Sequence, residues 1–330
     1  MTNSNHPIRL FSGSSSTAFV KKMCKHLHVE IGEAEVITYS EGNTFVKIQE
    51  KVRGKDVYIG QSIAVKPNEY FMELLFWIDA FKRASAKSVT AIIPFFSYAK
   101  GDKKDEPRVS IRARVCADCL EAAGVDRILT MDLHSPQIQG FFKIPVDHLS
   151  AIPILAREIA SLELDNLVVV SPDAGFTKNA RIYARLLNAP LAVGDKIRRS
   201  NDENAEVLEI IGDVKGKTAL LVDDFSITCN TLASAAKLIK AHGAKQVLAC
   251  ISHALLSEAG VRKLENSEIE RLIVTDTIDN PNVVGRQKIK VVSVSKIFSD
   301  AVRTIHYEES LGQLLDNYEM PVKGSRISQE

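Results

Sequence analysis

The sequence predicts an α/β protein of two domains, each a mainly parallel sheet flanked by helices. Three features point there. Short apolar runs alternate with amphipathic stretches almost throughout, the signature of β-α-β units. Several of those runs end in polar or charged residues, as strands do at the edge where parallel sheets meet their ligands. The chain has 330 residues, more than the roughly 100–200 that one domain needs.

In chain order, Val57–Gln61 reads as a strand. Glu69–Ser85 follows with Phe71, Leu74, Leu75 and Ile78 at helical spacing, so it is expected to bury one face. Thr90–Pro94 is the next strand, and Tyr98–Pro107 is polar, lysine-rich and loop-like. Ile111–Ala123 reads as a helix closed by Gly124, a residue suited to a left-handed cap. Arg127–Leu133 is a strand leading to His134. A second round begins near Ser150: strand Leu167–Val170 ending in Ser171-Pro172-Asp173, helix Thr177–Leu187, strand Ala219–Val222 ending in Asp223-Asp224, helix Thr231–His242 capped by Gly243, and strand Gln246–Ser252. No short-period repeat relates the halves, which excludes a solenoid. From Asp316 the chain turns polar and is expected to fray.

Lysine and arginine number 42 against 41 acids, so no global field would draw nucleic acid or a membrane surface, and an anionic substrate must be held by local groups. No apolar run approaches the ~20 residues that span a bilayer. The opening Met1–Pro7 lacks the layout of a signal peptide. Five scattered cysteines fit a reducing compartment, and a cytoplasmic location is expected. Cys116 and Cys119 form a C-x-x-C inside a helical segment with no second pair, which favours two packed thiols over zinc or redox chemistry.

The most informative stretch is Ala219–Thr231: an apolar strand, two aspartates, a loop holding Thr228, and a helix opening at Thr231. A helix N-terminus offers unpaired N–H groups and partial positive charge to a phosphate. Threonine hydroxyls add donors, and strand-end carboxylates accept hydrogen bonds from vicinal sugar hydroxyls. Thr231 also reads as an ordinary N-cap. Gly212–Thr218 mimics a phosphate-binding P-loop but has three residues between its glycines where four are required, and it leads into a strand. It reads as a turn.

Several segments together resemble the ribose-phosphate pyrophosphokinase family: Asp132-Leu133-His134-Ser135-Pro136-Gln137-Ile138-Gln139-Gly140-Phe141-Phe142, Met72-Glu73-Leu74-Leu75 with Lys82-Arg83-Ala84-Ser85-Ala86, Val170-Ser171-Pro172-Asp173, and Leu221-Val222-Asp223-Asp224. Order and spacing agree from Ile8 to Leu315. The resemblance implies two phosphoribosyltransferase-like domains, with residues 7–149 as the N-terminal pyrophosphokinase domain and 150–304 as the C-terminal domain. Residues 305–330 would form a segment that packs back and then frays. It implies transfer of diphosphate from ATP to the C1 hydroxyl of ribose 5-phosphate, with magnesium required and AMP released. It also implies homo-oligomers, dimers commonly stacked into hexamers, with adenine held across a subunit contact.

Carried over by position, Lys196 and Arg198 would be the catalytic pair of a mobile loop, and His134 and Asp173 would hold the metal. ATP would be bound by Tyr39, Glu41, Asn43, Lys100, Gly101 and His134. Ribose 5-phosphate would be bound by Asp223, Asp224, Thr228, Cys229, Asn230 and Thr231. The lysines of Lys100–Lys104 suggest an additional site for a regulatory anion.

The sequence departs from the family at both substrates. Ile227 stands where a third aspartate is usual and has no hydrogen-bonding capacity. Asn230 replaces a glycine. The adenine-side Phe-Ser-Asp-Gly-Glu is Tyr39-Ser40-Glu41-Gly42-Asn43 here, and Arg-Gln is Lys100-Gly101, which gives up a planar, two-pronged cation. Two glycines after Asp173 become Gly175-Phe176 following Ala174. Two readings follow: an active but divergent enzyme, or a catalytically weak nucleotide-binding or regulatory paralogue that associates with an active subunit. A phosphoribosyltransferase acting on a base is disfavoured by the N-terminal signature.

Overall fold

The structure, a computed structural model, describes residues 7–198 and 206–319. Its residues fall into two compact units. The first comprises the chain up to Ser150, with Thr277–Asp279 and Ser293–Leu315. The second comprises Ala151–Asp276, Asn280–Val292 and the chain from Asp316.

The first unit contains β1 (Arg9–Ser12), α1 (Thr17–Leu27), β2 (Ala34–Thr38), β3 (Thr44–Ile48), β4 (Asp56–Gly60), α2 (Pro67–Arg83), β5 (Ser88–Ile93), α3 (Arg112–Ala123), β6 (Arg127–Met131) and β7 (Val146–Leu149). β1, β4, β5, β6 and β7 lie in that order in one wholly parallel sheet, while β2 and β3 form a separate antiparallel hairpin. Strands of a parallel sheet are covered on both faces, which is why they read as unbroken apolar runs. Phe11, Val57, Ile59, Val89, Ala91 and Ile93 share a core with Leu74, Trp77, Ile78 and Phe81 of α2 and Leu120 of α3. Gly124 closes α3 in the left-handed region, φ 98°, as its position in the sequence predicts.

The second unit contains α4 (Ile152–Ala160), β8 (Leu167–Ser171), α5 (Thr177–Leu186), β9 (Leu191–Arg198), β10 (Glu206–Ile211), β11 (Thr218–Ser226), α6 (Asn230–Ala241), β12 (Gln246–Ala254), α7 (Glu258–Glu265), β13 (Arg271–Thr275) and β14 (Ile289–Val292). Its sheet runs β10-β9-β8-β11-β12-β13-β14, parallel except for the β9–β10 pair at one edge. From β8 the chain moves outward to β9 and β10, then returns to the other side of β8 and continues from β11 to β14. The direction of winding therefore reverses between β8 and β11. Val168, Val170, Ala219, Leu221, Val247, Ala249 and Ile251 pack on Leu232, Ala236 and Ile239 of α6 and on Val261 and Leu264 of α7.

Two helices follow, α8 (Ser295–His306) and α9 (Leu311–Glu319). The sequence places 150–304 together, but α8 belongs to the first unit. Phe298 of α8 meets Phe19 of α1 edge to face at 5.3 Å, and the Ser299 hydroxyl donates to the Met23 carbonyl at 3.3 Å. Thr277–Asp279 joins the same unit: Ser62 Oγ donates to the Thr277 carbonyl, and Asp279 Oδ2 accepts the Ala18 N–H at 3.1 Å in the first turn of α1. The fraying expected from Asp316 is not seen at its start, because α9 continues to Glu319. Residues 320–330 lie outside the described residues. Among the described residues no helix is long and apolar enough to cross a membrane.

Two local expectations also change. Tyr98–Pro107 opens with a short 3-10 turn, Ser97–Lys100, packed by Tyr98 against Phe71 at 5.5 Å. Gly194–Arg198, expected as loop, is strand: Lys196 pairs with Leu208 and Arg198 with Glu206. An edge hairpin is held by its backbone ladder, so the polar end of β9 becomes strand through its pairing with β10.

Candidate active site

In open α/β sheets, ligands sit beyond the carboxyl ends of the strands where the winding direction reverses. In the second unit that place lies between β8 and β11. β11 pairs with β8 only from Thr218 to Leu221, whereas β12 follows it as far as Ser226. Asp223 and Asp224 thus extend past the last residue bonded to β8, and Asp173 follows β8 itself.

Asp173 is fixed by its own turn. Its Oδ1 accepts the N–H of Gly175 at 2.9 Å and of Phe176 at 3.2 Å, and its carbonyl accepts the Ser171 hydroxyl at 2.7 Å. Asp223 Oδ1 accepts the Asp224 N–H at 3.0 Å, and Asp224 Oδ1 accepts the Phe225 N–H at 2.8 Å. Burial first, then the Asp224 and Asp173 carboxylates, hold Asp223 well above the ordinary carboxylate value. One bonded backbone N–H opposes this without cancelling it. Three acids thus share one electrostatic neighbourhood with an excess of negative charge.

The loop after β11 carries Thr228, Asn230 and Thr231 on the surface and turns Cys229 inward, fully buried. The helix begins at Asn230 and its N-cap is Cys229, so Thr231 is not the cap the sequence suggested. Cys229 adopts the left-handed conformation, φ 59°, and its side chain makes no capping hydrogen bond. A left-handed residue that is not glycine is uncommon and concentrates at functional turns. No acid occupies the first turn of α6. Among the described residues, the leading N–H groups of the helix and its partial positive charge meet no capping side chain. Burial pushes the Cys229 thiol up to about 11, against the opposing pull of Lys263.

The loop is braced by residues that carry no local signal in the sequence. Ser257 at the N-cap of α7 donates its N–H to the Ile227 carbonyl at 3.0 Å. Lys263 Nζ donates to Asn230 Oδ1. Gly260 packs so closely that a β-carbon there would lie 2.4 Å from the Ile227 carbonyl oxygen. These contacts come from some thirty residues downstream, and no periodicity announces them. The Ile227 side chain is 37% exposed, so it fills no core position and burial does not account for it. Lys196 and Arg198 lie on β9, and their side chains are outside the described residues.

The nucleotide residues suggested by the sequence lie in the first unit. Lys100 and Gly101 follow β5, and His134 follows the neighbouring β6. Between β6 and His134 the chain bends through Asp132 at φ 38°, and the Leu133 N–H donates to His148 Nε2 at 2.8 Å, which fixes that ring nitrogen as acceptor. His134 is exposed. Tyr39, Glu41 and Asn43 occupy the tip of the β2–β3 hairpin, closed by the Tyr39 N–H to Asn43 carbonyl bond at 2.8 Å. All three are exposed, and none of their side chains forms a hydrogen bond or ion pair among the described residues. In the lysine cluster, Lys103 pairs with Asp105 at 3.6 Å.

Comparison with known proteins decides the family. The model of the N-terminal domain of ribose phosphate pyrophosphokinase matches residues 8–124, and that of the phosphoribosyl synthetase-associated domain matches residues 198–316. The chain belongs to the ribose-phosphate pyrophosphokinase family. The ribose-phosphate pyrophosphokinase of Caldanaerobacter subterraneus is 45% identical over 315 residues, 95% of this chain and 99% of its own. That of a Nostoc species is 43% identical over 311 residues, 94% of each chain. The crystal structure of phosphoribosylpyrophosphate synthetase from Mycobacterium smegmatis superposes with a TM-score of 0.86 at 37% identity, covering 90% of this chain and 98% of that one. The pyrophosphokinase family thus supplies the frame in which the acids and the Thr228–Thr231 loop are to be understood.

Proposed function

We infer that this chain is a ribose-phosphate diphosphokinase, transferring diphosphate from ATP to ribose 5-phosphate. The observation that carries the reading is the reversal point between β8 and β11, where Asp173, Asp223, Asp224 and the uncapped start of α6 gather. In this reading Thr228, Thr231 and the N–H groups of the loop bind the 5-phosphate, while Asp223 and Asp224 accept hydrogen bonds from the ribose hydroxyls. The C1 oxygen forms a bond to the β-phosphorus of ATP, the bond to the bridging oxygen breaks, and AMP leaves with that electron pair as the hydroxyl proton is lost. Charge then grows on non-bridging and leaving oxygens, and Lys196 and Arg198 supply the cations that offset it. Lys100, Gly101, His134 and the hairpin residues Tyr39, Glu41 and Asn43 are assigned to ATP.

The residues fit magnesium. No group of three or more described His, Cys, Asp or Glu side chains converges into a metal cage. Magnesium needs no such cage: it keeps several waters and binds through one or two carboxylates plus substrate phosphates. The surplus negative charge at Asp173, Asp223 and Asp224 suits a cation of this kind. Asp173 and His134 are the residues assigned to it, and when bound it supplies charge neutralisation on the phosphates. A homo-oligomer, as the family resemblance of the sequence implies, and a cytoplasmic location remain part of the proposal.

The test is AMP formation from ATP that requires both ribose 5-phosphate and magnesium. Ile227, an exposed apolar side chain on the sugar-phosphate loop, favours a second reading, the weak regulatory paralogue. ATP binding without turnover, together with recovery of turnover in Ile227→Asp, would replace the first reading by the second.

A further inference from the structure

Gly101 carries no side chain, and a neighbour fills the room beside it. A β-carbon on Gly101 would lie 2.5 Å from Nε, 2.9 Å from Cβ and 3.2 Å from Cζ of Arg112. The Arg112 side chain is thus laid across the α-carbon of Gly101. Gly101 has φ −102°, a conformation open to any residue, so space and not backbone freedom requires the glycine. The Gly101 carbonyl accepts the Ala113 N–H at 3.1 Å, which ties the turn to the start of α3.

Stability does not explain the arginine. It occupies the first helical position of α3, where the helix dipole repels a cation and no acid stands in the first turn. Arg114, one turn-neighbour along, is committed: it pairs with Asp118 and donates to the Phe141 carbonyl. Arg112 is exposed and forms no hydrogen bond or ion pair among the described residues. It is a free, planar cation held beside Lys100.

We propose that Arg112 is a nucleotide-binding residue of this chain, delivering from α3 the planar two-pronged contact that Lys100 cannot make. Lysine offers a point charge, whereas a guanidinium forks onto a phosphate or stacks on a base. Gly101 and Arg112 then act as one unit: the glycine opens the room and the arginine uses it. The proposal rests on reading the Lys100–Gly101 turn as part of the nucleotide site.

The experiment measures KM for ATP and, by calorimetry, the affinity for magnesium-ATP in the full-length protein, for Arg112→Ala, Arg112→Lys, Gly101→Gln, Lys100→Ala and the double variant Gly101→Gln/Arg112→Ala. Arg112→Ala is expected to weaken ATP on the order of tenfold, one charged hydrogen bond's worth, without lowering the melting temperature. Arg112→Lys should fail to restore it. Gly101→Gln should displace the arginine and weaken ATP by a similar factor, with no further loss in the double variant. If Lys100→Ala weakens ATP and Arg112→Ala does not, the proposal is overturned while the nucleotide site stands. If neither variant changes ATP, both the proposal and the reading of this turn fall. Additive losses in the double variant would also overturn the coupling of Gly101 with Arg112.

Discussion

The contact between α7 and the loop after β11 gives the sharpest mechanical prediction, because its geometry has no slack. In Gly260→Ala the new β-carbon would lie 2.4 Å from the Ile227 carbonyl oxygen and 3.3 Å from the carbonyl carbons of Ile227 and Thr228. All three atoms are backbone, so no side chain can rotate away. A relaxed carbon–oxygen contact is about 3.3 Å, so loop and helix must separate by roughly 1 Å. Overpacking of this kind lowers stability by about 1–3 kcal/mol. The larger effect should be on the reaction, since a misplacement of about 1 Å at a reacting centre can lower the rate on the order of a hundredfold. The assay is AMP formation with ribose 5-phosphate and ATP varied in turn, alongside thermal unfolding. kcat/KM for ribose 5-phosphate should fall by about that factor, with KM for ATP little changed. A variant with lowered Tm and unaltered ribose 5-phosphate kinetics would refute the idea that α7 positions the sugar-phosphate loop.

Asp223→Asn should leave Tm unchanged or raise it, because it removes a carboxyl whose ionised form is disfavoured by burial and by Asp224 and Asp173, while turnover falls sharply; melting curves and kinetics read the two together. Burial holds Cys229 and Cys24 at about 11 and Cys116 at about 12, so all three remain protonated thiols at pH 8. Iodoacetamide at that pH should leave them unmodified in the native protein and alkylate them after unfolding, as mass spectrometry of peptides would show. Phe298→Ala should destabilise the protein by about 3–5 kcal/mol in a denaturant titration, by removing the partner of Phe19. A loss under 1 kcal/mol would contradict the packing of α8 on α1.

Much of this architecture could be read from residue order alone, for definite reasons. Parallel strands are buried on both faces, so Val57–Ile59, Val89–Ile93 and Ala219–Val222 announce themselves as apolar runs. α2 and α3 show one apolar stripe each, and Gly124 marks the end of α3. What could not be read were pairings at a distance. The apolar stripe of α8 shows that Phe298 and Val302 are buried, but nothing in its spacing names α1 as the surface that buries them. The strand character of Lys196 and Arg198 comes from β10 across the ladder, not from their own side chains. In the candidate site the acids Asp173, Asp223 and Asp224 were legible because strand ends collect function. Their shared neighbourhood depends on the sheet order β8-β11, which no local pattern encodes. Ser257, Gly260 and Lys263 were silent for the same reason, and Arg112 because its role exists only through the missing side chain of Gly101.

The positions that depart from the family differ in kind from those that are kept. In the proposed reading, Ile227, Asn230, Lys100 and Gly101 lie where bound substrates would be gripped before any bond changes. Asp173, Asp223, Asp224, Lys196 and Arg198 are the groups assigned to charge that moves or accumulates during transfer. Contacts made equally in ground state and transition state set KM, whereas contacts made only in the transition state set kcat. A chain altered at the first set and intact at the second should turn over at an ordinary kcat with raised KM for ribose 5-phosphate, the side at which no replacement contact is proposed. Ile227→Asp should lower KM for ribose 5-phosphate, on the order of tenfold for one regained hydrogen bond, with kcat nearly constant. If kcat rose with KM unmoved, Ile227 would be acting on the transition state, and the separation between gripping and reacting groups would be wrong.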